Sequence, residues 1–123
     1  MTGPNDADVY VKFEGANLTG SMKDRMALSM IVGAERKGLL KPGMPVVEYT
    51  GGSTGSSLAM VCAKKGYQAH FVSSNSFAEE NIQTMRTFGA TVELIHVEND
   101  ILTAEVIDRM IARAKELIQY PNI

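Results

Sequence analysis

Hydrophobic residues recur every three or four positions in four stretches of the chain, which is the spacing of an amphipathic helix. The first predicted helix begins at Ser21 and has its inward stripe at Met26, Ala27, Met30, Ile31 and Ala34. The last is the clearest, with a stripe of Val106, Ile107, Met110, Ile111, Ala114, Leu117 and Ile118. Glycines are expected to stop the first three helices, and these are Gly38, Gly66 and Gly89.

Short runs of β-branched and aromatic residues separate these helices and predict strands at 9–13, 46–49, 69–72 and 92–95. The predicted order is therefore β-α-β-α-β-α-β-α. Strands that alternate with helices across short connections indicate an α/β fold, in which a parallel sheet with right-handed crossovers carries helices on both faces. Because ligands bind beyond the carboxyl ends of such strands, the loops 15–22 and 50–55 are the candidate sites.

Two helix starts carry a capping pattern, in which a serine is followed three residues later by an acidic residue. These pairs are Ser21 with Asp24 and Ser76 with Glu79. We expect each serine to cap the backbone of the helix that follows it.

Composition and charge narrow the class of protein. The chain has 123 residues, 45% of them hydrophobic and 21% charged, which fits one domain with a real core. A net charge of −2 with mixed signs gives no reason to expect a nucleic-acid or membrane partner. Cys62 is the single cysteine, so no intrachain disulfide can form, and we expect a reducing, cytoplasmic location.

Lys23 is predicted to lie in the first turn of its helix, which is a poor position for a structural cation because the helix dipole is positive there. The same field favours the neutral amine, which is the nucleophile that adds to a carbonyl group. A solvated surface lysine is the alternative, since the dipole effect at exposed sites is only about 0.3–1 kcal/mol.

A second candidate site is the glycine-rich loop between the strand at 46–49 and the next helix. Its residues are Thr50, Gly51, Gly52, Ser53, Thr54 and Gly55. Exposed backbone N–H groups, a helix start and the hydroxyls of Ser53, Thr54 and Ser56 could hold a phosphate or carboxylate. The spacing is neither that of a Walker loop nor that of a dinucleotide fingerprint. The alternative is a connection that merely lets the helix pack close to its strand.

His70 and His96 are expected to be structural, because neither has a second ligand at metal spacing. We therefore expect no metal site. Cys62 lies in an apolar helix and is expected to be an inert thiol.

The run Asn-Leu-Thr-Gly-Ser-Met-Lys-Asp-Arg at 17–25 resembles the Asn-Pro-Thr-Gly-Ser-x-Lys-Asp-Arg signature of fold-type II pyridoxal-phosphate enzymes, the cysteine synthase and cystathionine β-synthase type. The resemblance implies that Lys23 bonds the cofactor, pyridoxal phosphate. It also implies the three-layer fold of the tryptophan synthase β-like small domain. Leu18 departs from the signature, which has proline there and so a more rigid loop.

The loop 50–55 resembles the Thr-Ser-Gly-Asn-Thr-Gly loop of the same family, which binds the carboxylate of the amino-acid substrate. The residues implied in that contact are Thr50, Gly51, Gly52, Ser53 and Thr54. Ser53 stands where the family has an asparagine that contacts the cofactor, and Gly51 stands for a serine. Because serine is shorter and lacks an amide group, a contact of Ser53 with the cofactor would be lost or would pass through water.

The resemblance covers about residues 8–120 in unbroken order, yet enzymes of this family are more than twice as long. Their later Gly-Thr-Gly-Gly-type loop for the cofactor phosphate has no counterpart after Gly66. We therefore expect residues 1–123 to be a single, incomplete α/β domain. It would belong to an enzyme of cysteine biosynthesis, a transferase or lyase that carries out β-replacement or β-elimination on a small amino acid and acts as a homo-oligomer or with a partner domain. The alternative is a catalytically silent module or a split subunit.

Overall fold

The computed structural model describes residues 3–4 and 6–119, and within them helices and strands alternate. The elements are α1 (Lys23–Arg36), β1 (Val46–Tyr49), α2 (Ser53–Lys65), β2 (Ala69–Ser74), α3 (Glu79–Thr87), β3 (Thr91–Ile95) and α4 (Ala104–Gln119). Single 3₁₀ turns lie at Glu14–Ala16 and Glu98–Asp100.

The three strands of the described residues form one parallel sheet in the order β1-β2-β3. Val46 pairs with Ala69 at one junction, and His70 pairs with Thr91 at the other. The parallel sheet predicted from the alternating elements is confirmed. Its central strand, β2, is flanked on both sides and so carries the most buried residues.

Helices cover both faces of the sheet, which confirms the three-layer arrangement. Phe71 points into a core cluster shared with α1, α2 and α3, and its neighbour Val72 points into a second cluster shared with α4. This alternation follows from the two-residue period of a strand. α1 packs on α2 and lies outside the layer next to the sheet.

In helix α4, only part of the predicted inward-facing stripe is buried. Val106, Met110, Ala114 and Leu117 are buried, as predicted, but Ile118 is 67% exposed. Ile118 follows Leu117 by one position, so it is turned about 100° away from the sheet. The inward face of α1 is also narrower than predicted: Met30 is 47% exposed, because α2 is the main neighbour of that helix.

The strand predicted at 9–13 is wrong. This segment has no regular secondary structure, and Val9, Tyr10, Val11 and Phe13 are all more than 70% exposed. β-Propensity reports that side chains suit a half-buried pleated surface, and it does not supply a neighbouring strand. No strand of the described residues pairs with this segment.

The serine cap predicted at Ser76 is wrong, whereas Ser21 Oγ accepts a hydrogen bond from the Lys23 N–H in the first turn of α1, as the capping pattern predicts. The helices begin later than expected, at Lys23 and Glu79, and neither N-cap residue makes a side-chain cap hydrogen bond. Asp24 bonds instead to Thr19 and Ser57, and Ser76 bonds to Ser74. The predicted glycine stop is confirmed at α2, which ends at Gly66 in the left-handed conformation with φ of 78°.

No helix within 3–4 and 6–119 combines the length and the apolar composition that a membrane crossing requires.

Candidate functional site

Lys23 opens α1, which is the position in the first turn that the sequence predicted. Its backbone N–H donates to Ser21 Oγ at 3.1 Å, and its side chain is half-buried. Among the described residues no hydrogen bond or ion pair engages the Lys23 ammonium, whereas Lys12 and Lys65 are each paired with a glutamate. The amine at the start of α1 is therefore available to a ligand.

The loop before Lys23 is stabilised by Asn17. The Asn17 side-chain amide donates to the Ser21 carbonyl at 2.8 Å, and the Asn17 carbonyl accepts from Gly20 N–H at 2.8 Å. Gly20 has φ of 72°, in the left-handed region that glycine adopts without steric penalty. These bonds hold the turn that delivers the chain to Lys23.

The loop 50–55 lies at the carboxyl end of β1. Thr50 N–H donates to the Val72 carbonyl at 2.9 Å, which keeps the start of the loop on the sheet. Gly55 N–H then donates to Thr50 Oγ1 at 3.1 Å and closes the loop. Gly52 is the N-cap of α2, so Ser53 and Thr54 form the first turn of that helix and have their N–H groups directed outward.

Two features decide which part of this loop could hold an anion. A side chain built on Gly52 would meet no atom within 4 Å, so that side is open, whereas one built on Gly51 would lie 2.0 Å from Cγ of Phe77. Ser56 Oγ is buried without a hydrogen-bond partner in the described residues. This oxygen is closed to solvent, so it adds no donor to the open face of the loop. The loop therefore fits an anion on the Gly52 side and is closed by Phe77 on the Gly51 side.

Hydrogen bonds join the segment around Lys23 to α2. Ser57 Oγ donates to Asp24 Oδ1 at 2.6 Å, and Thr19 N–H donates to Asp24 Oδ2 at 3.0 Å. The Thr19 hydroxyl also bonds to Asp24. Sequence reasoning missed Ser57, although its place beside Ser56, directly before the apolar part of α2, was a usable signal.

The two helices run in the same direction. Asp24 bonds to Ser57 near their N-termini, and Glu35 pairs with Lys65 at 2.8 Å near their C-termini. The starts of α1 and α2 therefore lie at one end of the molecule, and with them the two candidate sites. The structure thus brings together the loop 50–55 and the segment that carries Lys23.

The carboxylate of Asp24 is held in its charged form. Burial raises its pKa, but the hydrogen bonds from Ser57 and Thr19 outweigh burial and hold the pKa below its usual range. A carboxyl group with a lowered pKa stabilises the fold above its ordinary pKa, and this stabilisation is lost as the pH falls through the lowered value.

We expect Asp24→Asn to lower the free energy of unfolding by about 1–2 kcal/mol at pH 7, because it replaces charge-assisted hydrogen bonds with neutral ones. The difference from the unmodified chain should shrink below about pH 4, where the ordinary carboxyl group becomes protonated. Urea unfolding at pH 7 and pH 3 measures this. Equal differences at the two pH values would contradict a stabilising role of the charged Asp24 carboxylate.

The histidines and the cysteine supply no further candidate ligand group. His70 is within β2 and His96 follows β3, and the described residues contain no group of three His, Cys, Asp or Glu side chains that could bind a metal. Cys62 is fully buried, and burial raises its pKa to about 11, so the thiol stays protonated. A protonated, buried thiol is a poor nucleophile.

A groove of about 730 Å³ runs along α1 and α2, lined in part by Leu28, Met60 and Val61. Its lining includes Asp24 but neither Lys23 nor any residue of 50–55. This groove therefore does not include the residues that the chemistry indicates.

Residues 2–123 match the protein family described as "Pyridoxal-phosphate dependent enzyme". Among curated proteins, the chain is 46% identical to a cysteine synthase of Staphylococcus aureus over 113 residues, which cover 92% of this chain and 34% of that protein. It is 45% identical to cysteine synthase B of Escherichia coli over 126 residues, which cover 98% of this chain and 41% of the relative.

A solved structure, a hydrogen sulfide-producing enzyme from Fusobacterium nucleatum, superposes on the chain with a TM-score of 0.78 at 37% identity. The match covers 89% of this chain and 34% of that one. The chain thus spans about a third to two fifths of the length of these relatives.

Proposed function

Because the chain belongs to the family of pyridoxal-phosphate-dependent enzymes, we propose that it forms the small domain of an enzyme of β-replacement or β-elimination on a small amino acid. Pyridoxal phosphate is the cofactor of this family, and cysteine synthases are the chain's curated relatives. O-Acetylserine and serine are the substrates that we propose first. The observation that carries the proposal is the shared location of the Lys23 segment and the anion loop at the N-terminal ends of two parallel helices.

Lys23 is the residue that we propose to hold the cofactor. Its amine has no partner in the described residues, and its side chain is half-buried at the start of α1. Bound pyridoxal phosphate supplies the electron sink that lets a proton leave the α-carbon of an amino acid. Lys23, placed beside that carbon, would carry the proton to and from it.

Thr50, Gly51, Gly52, Ser53 and Thr54 are the residues that we propose to bind the substrate carboxylate. The open side of Gly52 and the free N–H groups at the start of α2 support this assignment. Ser53 stands in the first turn, where its short hydroxyl could reach the cofactor through a water molecule. Phe77, packed on Gly51, narrows the loop on the other side.

A second candidate function is that of a silent module or a split subunit that requires a partner to complete the site. The exposed apolar segment 9–13 supports it, because this segment is suited to contact with a partner domain or a second copy. We propose a cytoplasmic location for either case, in keeping with the free thiol of Cys62.

A chimeric enzyme separates the two candidates. Residues 8–119 would replace the matching part of the Staphylococcus aureus cysteine synthase, and the purified chimera would be assayed for cysteine formation from O-acetylserine and sulfide. We expect turnover in the chimera and a loss of about 10²–10⁴-fold in its Lys23→Ala variant, because the proton carrier is removed. A chimera that folds and binds the cofactor but does not turn over would favour the silent module.

A further inference from the structure

We propose that Asp24, held by Ser57 and Thr19, is a positioning residue that fixes Lys23 relative to the loop 50–55. We call Asp24, Ser57 and Thr19 the Asp24 latch. The inference rests on the proposed function, because it concerns the lysine that is assigned there to the cofactor. It links the segment around Lys23 to the loop 50–55, and neither sequence motif indicates this link by itself.

The latch acts on the residue next to Lys23. Asp24 follows Lys23 in the first turn of α1, and its carboxylate reaches sideways to Ser57, five residues into α2. Ser57 is fully buried, so its hydroxyl cannot exchange this acceptor for bulk water. A rotation or a slide of the start of α1 would therefore break a charge-assisted hydrogen bond in a buried setting.

Thr19 completes the latch from the other side of Lys23. Its N–H donates to Asp24 Oδ2 at 3.0 Å, and its hydroxyl lies 3.3 Å from Ser57 Oγ. Asp24, the residue after Lys23, is thus bonded through its carboxylate to Thr19, in the turn before Lys23. This fixes the backbone on both sides of the lysine, which a contact with a single neighbour would not do.

The loop 50–55 is connected rigidly to the same helix. Gly55 N–H bonds to Thr50 Oγ1 and to the Gly52 carbonyl, so the loop and the first turn of α2 form one unit. A bond between Asp24 and Ser57 therefore sets the position of Lys23 relative to the anion loop. The polar contact of Glu35 with Lys65 lies at the C-terminal ends of the two helices. It therefore has little effect on the position of Lys23.

The test measures how selectively Lys23 reacts with pyridoxal phosphate. The 123-residue chain would be incubated with the aldehyde and reduced with borohydride, and the ratio of the Lys23 adduct to the Lys64 adduct would be read by peptide mass spectrometry. The variants are Ser57→Ala, Asp24→Ala and their double variant. Glu35→Gln is the matched control, because it weakens the contact at the other end of the same helix pair.

We expect the ratio to fall about fivefold in Ser57→Ala, which loses one charge-assisted hydrogen bond, and at least as far in Asp24→Ala, which loses that bond and both bonds from Thr19. The double variant should match Asp24→Ala, since that substitution already removes the bond to Ser57. Asp24→Asn should give an intermediate ratio because it keeps an acceptor oxygen, and Glu35→Gln should stay within about twofold of the unmodified chain. Hydrogen exchange at the Thr19 amide, a readout without the cofactor, should accelerate in Ser57→Ala.

Two outcomes overturn the inference and can be told apart. If the unmodified chain labels Lys23 selectively but the latch variants give the same ratio, the latch does not position the lysine and the proposed function stands. If the unmodified chain shows no preference for Lys23 over Lys64, the inference falls together with the assignment of Lys23 to the cofactor. A drop of equal size in Glu35→Gln would also overturn it, because general loosening of the helix pair would then explain the effect.

Discussion

Replacing Lys23 with alanine is expected to abolish the site-specific reaction of the chain with pyridoxal phosphate and to leave the fold intact. The lysine is half-buried with no ionic partner in the described residues, so its loss should change the free energy of unfolding by no more than about 0.5 kcal/mol. The adduct at this position, measured by absorbance and by the mass of the reduced protein, should disappear completely.

Lys64→Ala is the matched control for that experiment. Lys64 lies in the last turn of α2, at the opposite end of the helix from the loop 50–55, and is exposed. Removing it should leave the absorbance band unchanged. An absorbance band that persists at full strength in Lys23→Ala would contradict the assignment of the cofactor to this lysine.

Replacing Gly51 with serine is expected to destabilise the fold by about 2–3 kcal/mol. The new Cβ would lie 2.0–2.2 Å from the Phe77 ring, and the nearest atom is Cγ, the ring carbon closest to the backbone. A small rotation of the ring hardly moves Cγ, so it cannot relieve the clash. The whole Phe77 side chain must then leave its position against the cluster around Val72. Overpacking of this kind costs about 1–3 kcal/mol, and here the packing of Phe77 is lost as well.

Gly52→Ser provides the control for Gly51→Ser. Position 52 is open, its φ of −137° is an ordinary extended value, and serine is favoured at a helix N-cap. We expect no loss of stability there. The double variant Gly51→Ser with Phe77→Ala should be no less stable than Phe77→Ala alone, and additive losses in urea unfolding would contradict a direct clash.

The contact between Phe77 and Gly51 also bears on function. Phe77 occupies the space that a serine side chain would need at position 51. An aromatic ring, and not a hydroxyl, therefore lies beside the proposed carboxylate site. The first turn of α2 and the hydroxyls of Ser53 and Thr54 then remain as donors.

Local signals predicted most of the fold. α2 and α4 followed from apolar spacing, because a helix makes its hydrogen bonds within itself and needs a partner only for its apolar face. Gly66 was a reliable stop because a left-handed residue ends a helix whatever surrounds it. The parallel sheet followed from the alternation of elements.

The errors arose where distant residues decide the outcome. The segment 9–13 has the composition of a strand, but pairing depends on a neighbour that composition cannot supply. Asp24 matched a local capping pattern, yet its carboxylate bonds to Ser57, 33 positions away. The closure of the loop at Gly51 by Phe77 is equally non-local. Lys23 and the loop 50–55 were recognisable as motifs, whereas the bonds between their segments required the structure.

The single thiol of Cys62 has a practical consequence. It is fully buried at the centre of the core that α2 shares with the sheet, and its proton is held tightly. A maleimide or a disulfide reagent can reach it only when that core opens, so the modification rate counts opening events. The protein therefore carries a native reporter of core opening, which a thiol reagent can read in plain buffer without denaturant and without an engineered cysteine.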